Sequence, residues 1–379
     1  MHYRQFGKLD FMVSALGFGC MRFPTIDNNE GQIDEHTATQ MIHYAIDHGV
    51  NYLDTAYFYH KGNSERFLGK ALQNGYREKI KLVTKLPLGE DYIQSEDDFD
   101  RLLDEQLERL QTDHVDFYLL HNLFEKAWHR SLKFKVFDRA EKAMADGRIN
   151  HLGFSFHDRV DLFKEIVDAY DNWTLCQIQY NYVDEDFQAG TEGLQYAAER
   201  GLAIVVMEPL RGGVLAKPPK GVDSLWRDAG KDPVEMSLQW LWDKPEVSVL
   251  ISGMSTLDQV KQNVGLAGRS NKNALTENDF KLIDDAKATF ESYKAIPCTQ
   301  CRYCMPCPNG VDIPRNFQLY NQAKMFDSLP PGKFAYNMIL TAEERAENCI
   351  ACLECEEKCP QQIAISQLMP EIHDLLKKE

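Results

Sequence analysis

Eight of the ten cysteines in this 379-residue chain lie between positions 298 and 359. The string CTQCRYCMPCP carries Cys298, Cys301, Cys304 and Cys307, with Pro308 next. The string CIACLECEEKCP carries Cys349, Cys352, Cys355 and Cys359, with Pro360 next. Three thiolates at two-residue gaps on a tight turn suit three corners of an iron–sulfur cube, and a fourth cysteine before proline tends to ligate a second cube. Zinc asks only for paired C-x2-C units. Eight thiols in two such runs therefore favour two [4Fe–4S] clusters, with a single cluster or zinc as the other readings. Cys20 and Cys176 stand apart and read as small core residues.

A second chemistry is written in four short strings further upstream. They are DTAYFY (54–59), TK (84–85), LLHN (119–122) and GFSFHD (153–158). Each follows an apolar run, so each falls at the carboxyl end of an expected strand. A tyrosine beside a lysine and an aspartate has a direct use there. The lysine cation should lower the phenol from its ordinary value near 10, and the aspartate makes that cation tolerable in a dry site. A histidine can hydrogen-bond a carbonyl oxygen while the phenol hands over a proton. Taken singly, Tyr57 or Tyr59 could equally be a core residue.

The elements that must position these groups follow a steady alternation. Apolar runs at Leu16–Gly19, Val50–Leu53, Ile80–Thr84, Val115–Leu120, Ile149–Phe154, Leu175–Gln179, Leu202–Met207 and Val247–Ile251 read as strands buried on both faces. Amphipathic stretches such as Glu35–His48, Glu96–Leu110, Phe134–Asp146 and Val234–Trp242 separate them. Eight such units over roughly 250 residues predict an α/β fold, a (β/α)8 TIM barrel, whose active site belongs at the carboxyl ends of the strands. Gly17-Phe18-Gly19 does not complete the glycine fingerprint of a doubly wound sheet.

Tyr3–Gln5 and Met12–Ser14 read as a hairpin plugging the barrel floor. Thr276–Phe290 reads as a further helix capped by Thr276. Val311–Phe326 and Tyr336–Asn348 read as helices of a small cysteine-bearing domain, with Ser328–Gly332 as a break. The expected division is 1–290 for the barrel and 291–379 for the iron–sulfur domain.

The cysteine region resembles the two-cluster ferredoxins, and its helical filling resembles a helical ferredoxin. The resemblance implies cross-ligation: Cys298, Cys301, Cys304 and Cys359 on one cluster, and Cys349, Cys352, Cys355 and Cys307 on the other. The first run departs from the family in having two residues, not three, before its Cys-Pro cysteine.

Residues 1–290 resemble the aldo-keto reductases through DTAYFYHKGNSERFLGKAL, LVTKLPL, VDFYLLHN and ISGMSTLDQVKQN. That resemblance implies a catalytic tetrad of Asp54, Tyr59, Lys85 and His121, interconverting a carbonyl and an alcohol with hydride from a nicotinamide. It implies that Ser155 and Gln179 hold the carboxamide, and that Met207 stands where an aromatic usually stacks on the nicotinamide. Gly253 and Ser255 fall in the phosphate loop, Asn263 at the adenine position, and Arg211, Gly212 and Gly213 near phosphate. Phe156 replaces the family's asparagine. Met254 and Gln259 replace the two cations that hold the 2′-phosphate of NADP, with Arg269 a distant substitute. NADH, weakly bound NADPH and a flavin are the carriers compatible with this pattern. The loops Asn122–Arg130 and Lys217–Asp228 are expected at the mouth, with Phe124, Trp128 and Trp226 as walls.

The formal net charge of −16 argues against nucleic acid as a partner. No apolar run reaches the ~18 residues of a membrane helix. MHYRQFGKLDFMVSALGFG lacks a signal-peptide core, so a cytoplasmic oxidoreductase is expected, with a small substrate and a redox partner protein. A redox-sensing or binding protein on a reductase scaffold, and a reductase with purely structural clusters, are the alternatives.

Overall fold

The computed structural model describes residues 1–272, 274–298, 302–326, 328–359 and 361–378. Strands β1 (Tyr3–Gln5) and β2 (Met12–Ser14) pair antiparallel, with Arg4 opposite Val13. Then β3 (Leu16–Gly19), β4 (Tyr52–Asp54), β5 (Lys81–Leu86), β6 (Val115–Leu123), β7 (Ile149–Phe156), β8 (Leu175–Gln179), β9 (Ala203–Met207) and β10 (Val247–Gly253) run parallel in chain order. They close into a barrel through Leu250 of β10 against Leu16 of β3. The eight expected strands are all present.

Helices fill the connections: α1 (Glu35–Asp47), α2 (Asn63–Ala71), α3 (Asp98–Leu110), α4 (Glu125–Lys133), α5 (Val136–Ala145), α6 (Val160–Asp168), α7 (Gly190–Glu199), α8 (Lys220–Asp228), α9 (Pro233–Trp242) and α10 (Leu257–Ala267). Asp34 caps α1 and Asp232 caps α9 through backbone N–H groups three residues on. α11 (Glu277–Glu291) follows, one residue displaced from the expected Thr276–Phe290.

The barrel interior is layered. Side chains two apart on a strand point the same way. Tyr52, Val83, Leu119, Leu175, Val205 and Ile251 form one apolar cluster, with Phe6 and Val13 of the hairpin packed in the same cluster. Phe6 lies 4.9 Å from the Phe117 ring and 5.8 Å from Tyr52, so the hairpin plugs the floor as expected. Two residues further along, those six strands present Asp54, Lys85, His121, Gln177, Met207 and Gly253. One step toward the carboxyl ends therefore changes the interior from oil to chemistry.

By internal packing the chain forms two compact units: Met1–Ala216 with Asp232–Asn278, and Lys217–Lys231 with Asp279–Glu379. The second unit has its own core, including Phe317, Tyr320, Tyr336, Met369 and Ile372. α12 (Ile313–Met325) is capped by Asp312, which accepts from the Arg315 N–H. Pro330 opens a short helix, α13 (Pro330–Phe334), inside the expected break, as suits a proline at a first helical turn. The continuous helix expected over Tyr336–Asn348 does not form. A π-turn at Ala335–Ile339 ends at an extended Leu340, and a 3-10 turn covers Ala346–Asn348. Thr341 and Glu344 trade side-chain bonds with each other's backbone N–H, at 2.7 and 3.2 Å, which competes with helical continuation. α14 (Glu354–Glu357) and α15 (Ile365–Leu376) complete the chain. No helix among the described residues is long and apolar enough to cross a membrane.

Phe6 is fully buried. Phe6→Ala should therefore cost the barrel about 3–5 kcal/mol. Denaturant unfolding followed by tryptophan fluorescence measures it, and a loss below ~1 kcal/mol would show the hairpin to be a loose flap.

Candidate active site

Lys85 has no exposed surface, and Asp54 beside it is 2% exposed. Its ammonium donates to Asp54 Oδ1 at 2.7 Å and to the Thr55 carbonyl at 2.6 Å. The Tyr59 hydroxyl lies 3.5 Å from the same nitrogen. The His121 ring stands edge-on to Tyr59 with centroids 6.1 Å apart. Phe58 stacks on His121 at 5.7 Å. Asp54 Oδ2 and His121 Nδ1 are buried without a hydrogen-bond partner. The four residues expected to form a tetrad are thus gathered at the carboxyl ends of β4, β5 and β6, and Tyr59 rather than Tyr57 faces the lysine. Tyr57 instead donates to Glu105 at 3.0 Å.

Burial pushes the Tyr59 phenol above its ordinary value, and the Lys85 cation opposes this without overcoming it. The sequence argument expected a lowered value. The difference follows from burial, to which the nearby Asp54 charge adds. Burial also lifts the Asp54 carboxyl. Burial alone would lower Lys85, but Asp54 and Tyr59 outweigh it and hold the ammonium above its ordinary value. Burial, followed by the charges of Lys85 and His157, keeps His121 far below its ordinary value. The phenol is therefore protonated and the imidazole neutral at neutral pH, beside the Lys85–Asp54 contact at 2.7 Å.

The positions expected to hold a nucleotide are spread over the neighbouring strand ends. Ser155 is buried and its hydroxyl accepts from the Asn122 N–H at 2.7 Å. Met207 is half-buried, with its sulfur 3.7 Å from the Gln177 amide. Gln179 donates to Asp184 at 2.9 Å, and Arg211 donates to the same carboxylate oxygen at 2.9 Å. Gly212 and Gly213 take left-handed backbone (φ 66° and 96°), which leaves that loop bare of side chains. Phe156 is fully buried and packs 5.1 Å from Phe163.

After β10, Met254 is 1% exposed and points into the protein. Gln259 accepts from the Ser255 N–H at 2.8 Å while Thr256 caps α10. Asn263 donates to Ser252 at 3.1 Å and is buried. Arg269 is exposed and lies 3.5 Å from Glu235.

Sequence reasoning missed Arg22. Its guanidinium lies 3.6 Å from Glu208, and a methyl group on Gly253 would meet its side chain at 3.0 Å. It thus bridges the loops after β3, β9 and β10. The signal was available: it is the first cation after the first barrel strand. The expected walls Trp128 and Trp226 are corrected. Trp128 is buried and donates its ring N–H to Glu165 at 2.8 Å, and Trp226 is fully buried within α8. Helices, not loops, occupy 125–133 and 220–228, which turns those indoles inward. Phe124 stays half-buried. The aromatic surface beside His121 belongs to Phe58, 40% exposed, with Tyr92 4.9 Å from it.

Cys301 lies outside the described residues. Cys298, Cys304, Cys307, Cys349, Cys355 and Cys359 are partly buried against the second core, and Cys352 is exposed. Burial pushes the Cys355 thiol up to about 11, with Cys349 and Cys352 adding to it, so those three sulfurs face one another electrostatically. Among the described residues no three metal-binding side chains converge as a single-ion site, and a four-iron cube spans its thiolates more widely than one ion does. The donor set is all thiol, which fits such a cluster. Cys20 and Cys176 are fully buried core residues.

The aldo/keto reductase family model matches residues 15–288. The chain belongs to that family. A 4Fe-4S dicluster domain model matches residues 297–364 of this aldo/keto reductase, so it carries iron–sulfur clusters. It is 27% identical to the uncharacterized oxidoreductase YqkF of Bacillus subtilis over 316 residues, covering 75% of this chain and 95% of the relative. It is 25% identical to L-galactose dehydrogenase of Arabidopsis thaliana, covering 77% and 95%. The aldo-keto reductase AKR11C1 of Bacillus halodurans, holo form, superposes with a TM-score of 0.63 at 29% identity, covering 76% of this chain and 96% of that one.

Protein purified without oxygen should contain about eight iron and eight sulfide per chain, as two four-iron clusters require. Metal and acid-labile sulfide analysis checks this, and four iron or fewer would leave one cysteine run without a cluster.

Proposed function

We propose that this reductase interconverts a carbonyl and an alcohol in its barrel, and that its clusters pass electrons one at a time to or from a partner protein. The Lys85–Asp54 pair, with the Tyr59 hydroxyl 3.5 Å from the ammonium, is the observation that carries the first half. Met207 would flank a nicotinamide, which would supply the hydride when bound. Ser155 and Gln179 would orient its carboxamide, and the glycine loop at 212–213 with Gly253 and Arg22 would take its diphosphate. The neutral His121 imidazole would orient the carbonyl oxygen. Tyr59 gives that oxygen its proton, and Lys85 stabilises the phenolate left behind. Asp54 keeps Lys85 charged in a dry site.

In this reading residues 1–290 form the catalytic domain and 291–379 the cluster domain. Cys298, Cys301, Cys304 and Cys359 hold one cluster, and Cys349, Cys352, Cys355 and Cys307 the other. A cytoplasmic setting, where thiols stay reduced, suits that use of cysteine. A flavin in place of the nicotinamide is supported by no residue named above.

Tyr59→Phe should lower carbonyl reduction on the order of 10²–10⁴-fold while nucleotide binding and iron content hold. Steady-state rates with a panel of small aldehydes and ketones test this; unchanged turnover would abandon the reading. A second expectation concerns the nucleotide. Met254 is buried and Gln259 serves the turn before α10, so no cation stands at the 2′-phosphate positions. NADH and NADPH should bind with similar affinity at one ionic strength. A 100-fold tighter NADPH constant, about 2.7 kcal/mol, would reveal a phosphate clamp elsewhere.

A further inference from the structure

Bonded to Thr84, the residue before Lys85, is a second buried carboxylate that the proposed reaction does not use. Glu65 is fully buried near the start of α2. Its Oε1 accepts from the Thr84 hydroxyl and from the Gln106 amide, each at 2.6 Å. Its Oε2 accepts from Arg109 at 3.2 Å. Gln106, also fully buried, uses the same amide to reach the Lys85 backbone carbonyl at 3.1 Å and the Thr84 hydroxyl at 3.0 Å. Its own oxygen accepts from Tyr118 at 2.7 Å. Gln106 and Arg109 sit one turn apart on α3, so both face Glu65.

The residue before Glu65 holds the other end of Lys85. Ser64 is buried and pairs with the Thr55 hydroxyl at 2.8 Å. Thr55 is the residue whose carbonyl receives the Lys85 ammonium. Arg109 continues to the Tyr57 carbonyl at 3.4 Å, two residues before Tyr59. Two consecutive side chains of α2 therefore brace the lysine at both ends, through its backbone and through its ammonium acceptor.

We propose that Glu65, acting through Gln106 and Thr84, is a positioning residue that fixes Lys85 at its distance from Tyr59. This rests on the tyrosine–lysine reading above. A buried carboxylate with two buried donors and a partly buried third is costly to bury and gains nothing from solvent, so its placement is set by the groups it orients. Lys85 sits at 3.5 Å from the phenol, the edge of hydrogen-bond reach. A small backbone shift at Lys85 would break that contact while leaving the ion pair with Asp54 intact.

Gln106→Met tests the proposal, because it removes the amide bonds without changing charge or much volume. With 4-nitrobenzaldehyde as the carbonyl probe and NADH as donor, the intact iron–sulfur protein should lose about 10–100-fold in kcat, the scale of a misplacement near 1 Å. The probe's KM and the NADH dissociation constant should stay within about threefold. Tyr118→Phe is the control: it breaks the same network on its far side but leaves the Gln106 amide on Lys85, and its kcat should hold within about twofold.

An unchanged kcat in Gln106→Met, an equal loss in Tyr118→Phe, or a loss confined to KM or NADH binding would each overturn the proposal. If Gln106→Met does not fold, Glu65→Gln is read by the same split in kcat and KM. Tyr59→Phe measured alongside separates the two ideas. If that variant turns over normally the reaction itself is misassigned, whereas a dead Tyr59→Phe beside an active Gln106→Met removes only the role of Glu65.

Discussion

A lysine ammonium with no exposed surface governs the upper half of this barrel. Stripping such an ion of water costs several kcal/mol even after relaxation, so the fold must supply acceptors at fixed places. Asp54 and the Thr55 carbonyl do so at 2.7 and 2.6 Å, both from the end of β4 beside β5. The pairing register brings this about. Asp54 stands opposite Val83, so Lys85 begins two residues higher and reaches back down to it. Lys85 in turn stands opposite Leu119, which places His121 one interior step above. A shift of one residue in either pairing would turn these side chains toward the helices. The apolar layer beneath, closed by Phe6, removes the water that would otherwise dilute the pair.

The strand ends proposed to hold a nucleotide are built on a different balance. Arg211 lies against Asp184, Arg22 against Glu208, and Arg269 against Glu235. Arg211 and Arg22, which follow β9 and β3, thus already face carboxylates of their own chain. A diphosphate binding there has to compete with Glu208 for Arg22, in a chain whose net charge is −16. That competition weakens charge as the source of affinity and leaves the glycine backbone of the 212–213 loop and the Met207 surface to carry more of it.

Much of this was written in the sequence, for reasons that differ by element. The strands were legible because both faces are buried, and long apolar runs admit few other structures. Asp54, Lys85 and His121 were legible because each directly follows such a run. What was not legible depends on partners distant in sequence. Glu65 reads as one more charge in NSERF until α3 brings Gln106 and Arg109 against it. Trp128 and Trp226 look like pocket walls until helices turn them inward. Thr341 and Glu344 carry the pattern of a helix start, yet bond to each other where no helix follows, which no periodicity reveals.

The direction in which burial moves Tyr59 bears on what the site is prepared to do. A phenol held above its ordinary value is protonated throughout the physiological range. Its resting state is that of an acid, and an acid next to a hydrogen-bonding imidazole is suited to protonating an oxygen as negative charge develops on it. To act as a base the same phenol must first lose its proton, and at neutral pH the fraction that has done so is small. The Lys85 cation narrows that gap without closing it, because burial outweighs it and the Asp54 charge adds to the burial. Burial first, then the opposed charges of Lys85 and Asp54, set how strong an acid Tyr59 is. A protonated phenol beside a neutral imidazole is the arrangement that proton delivery to an oxygen requires.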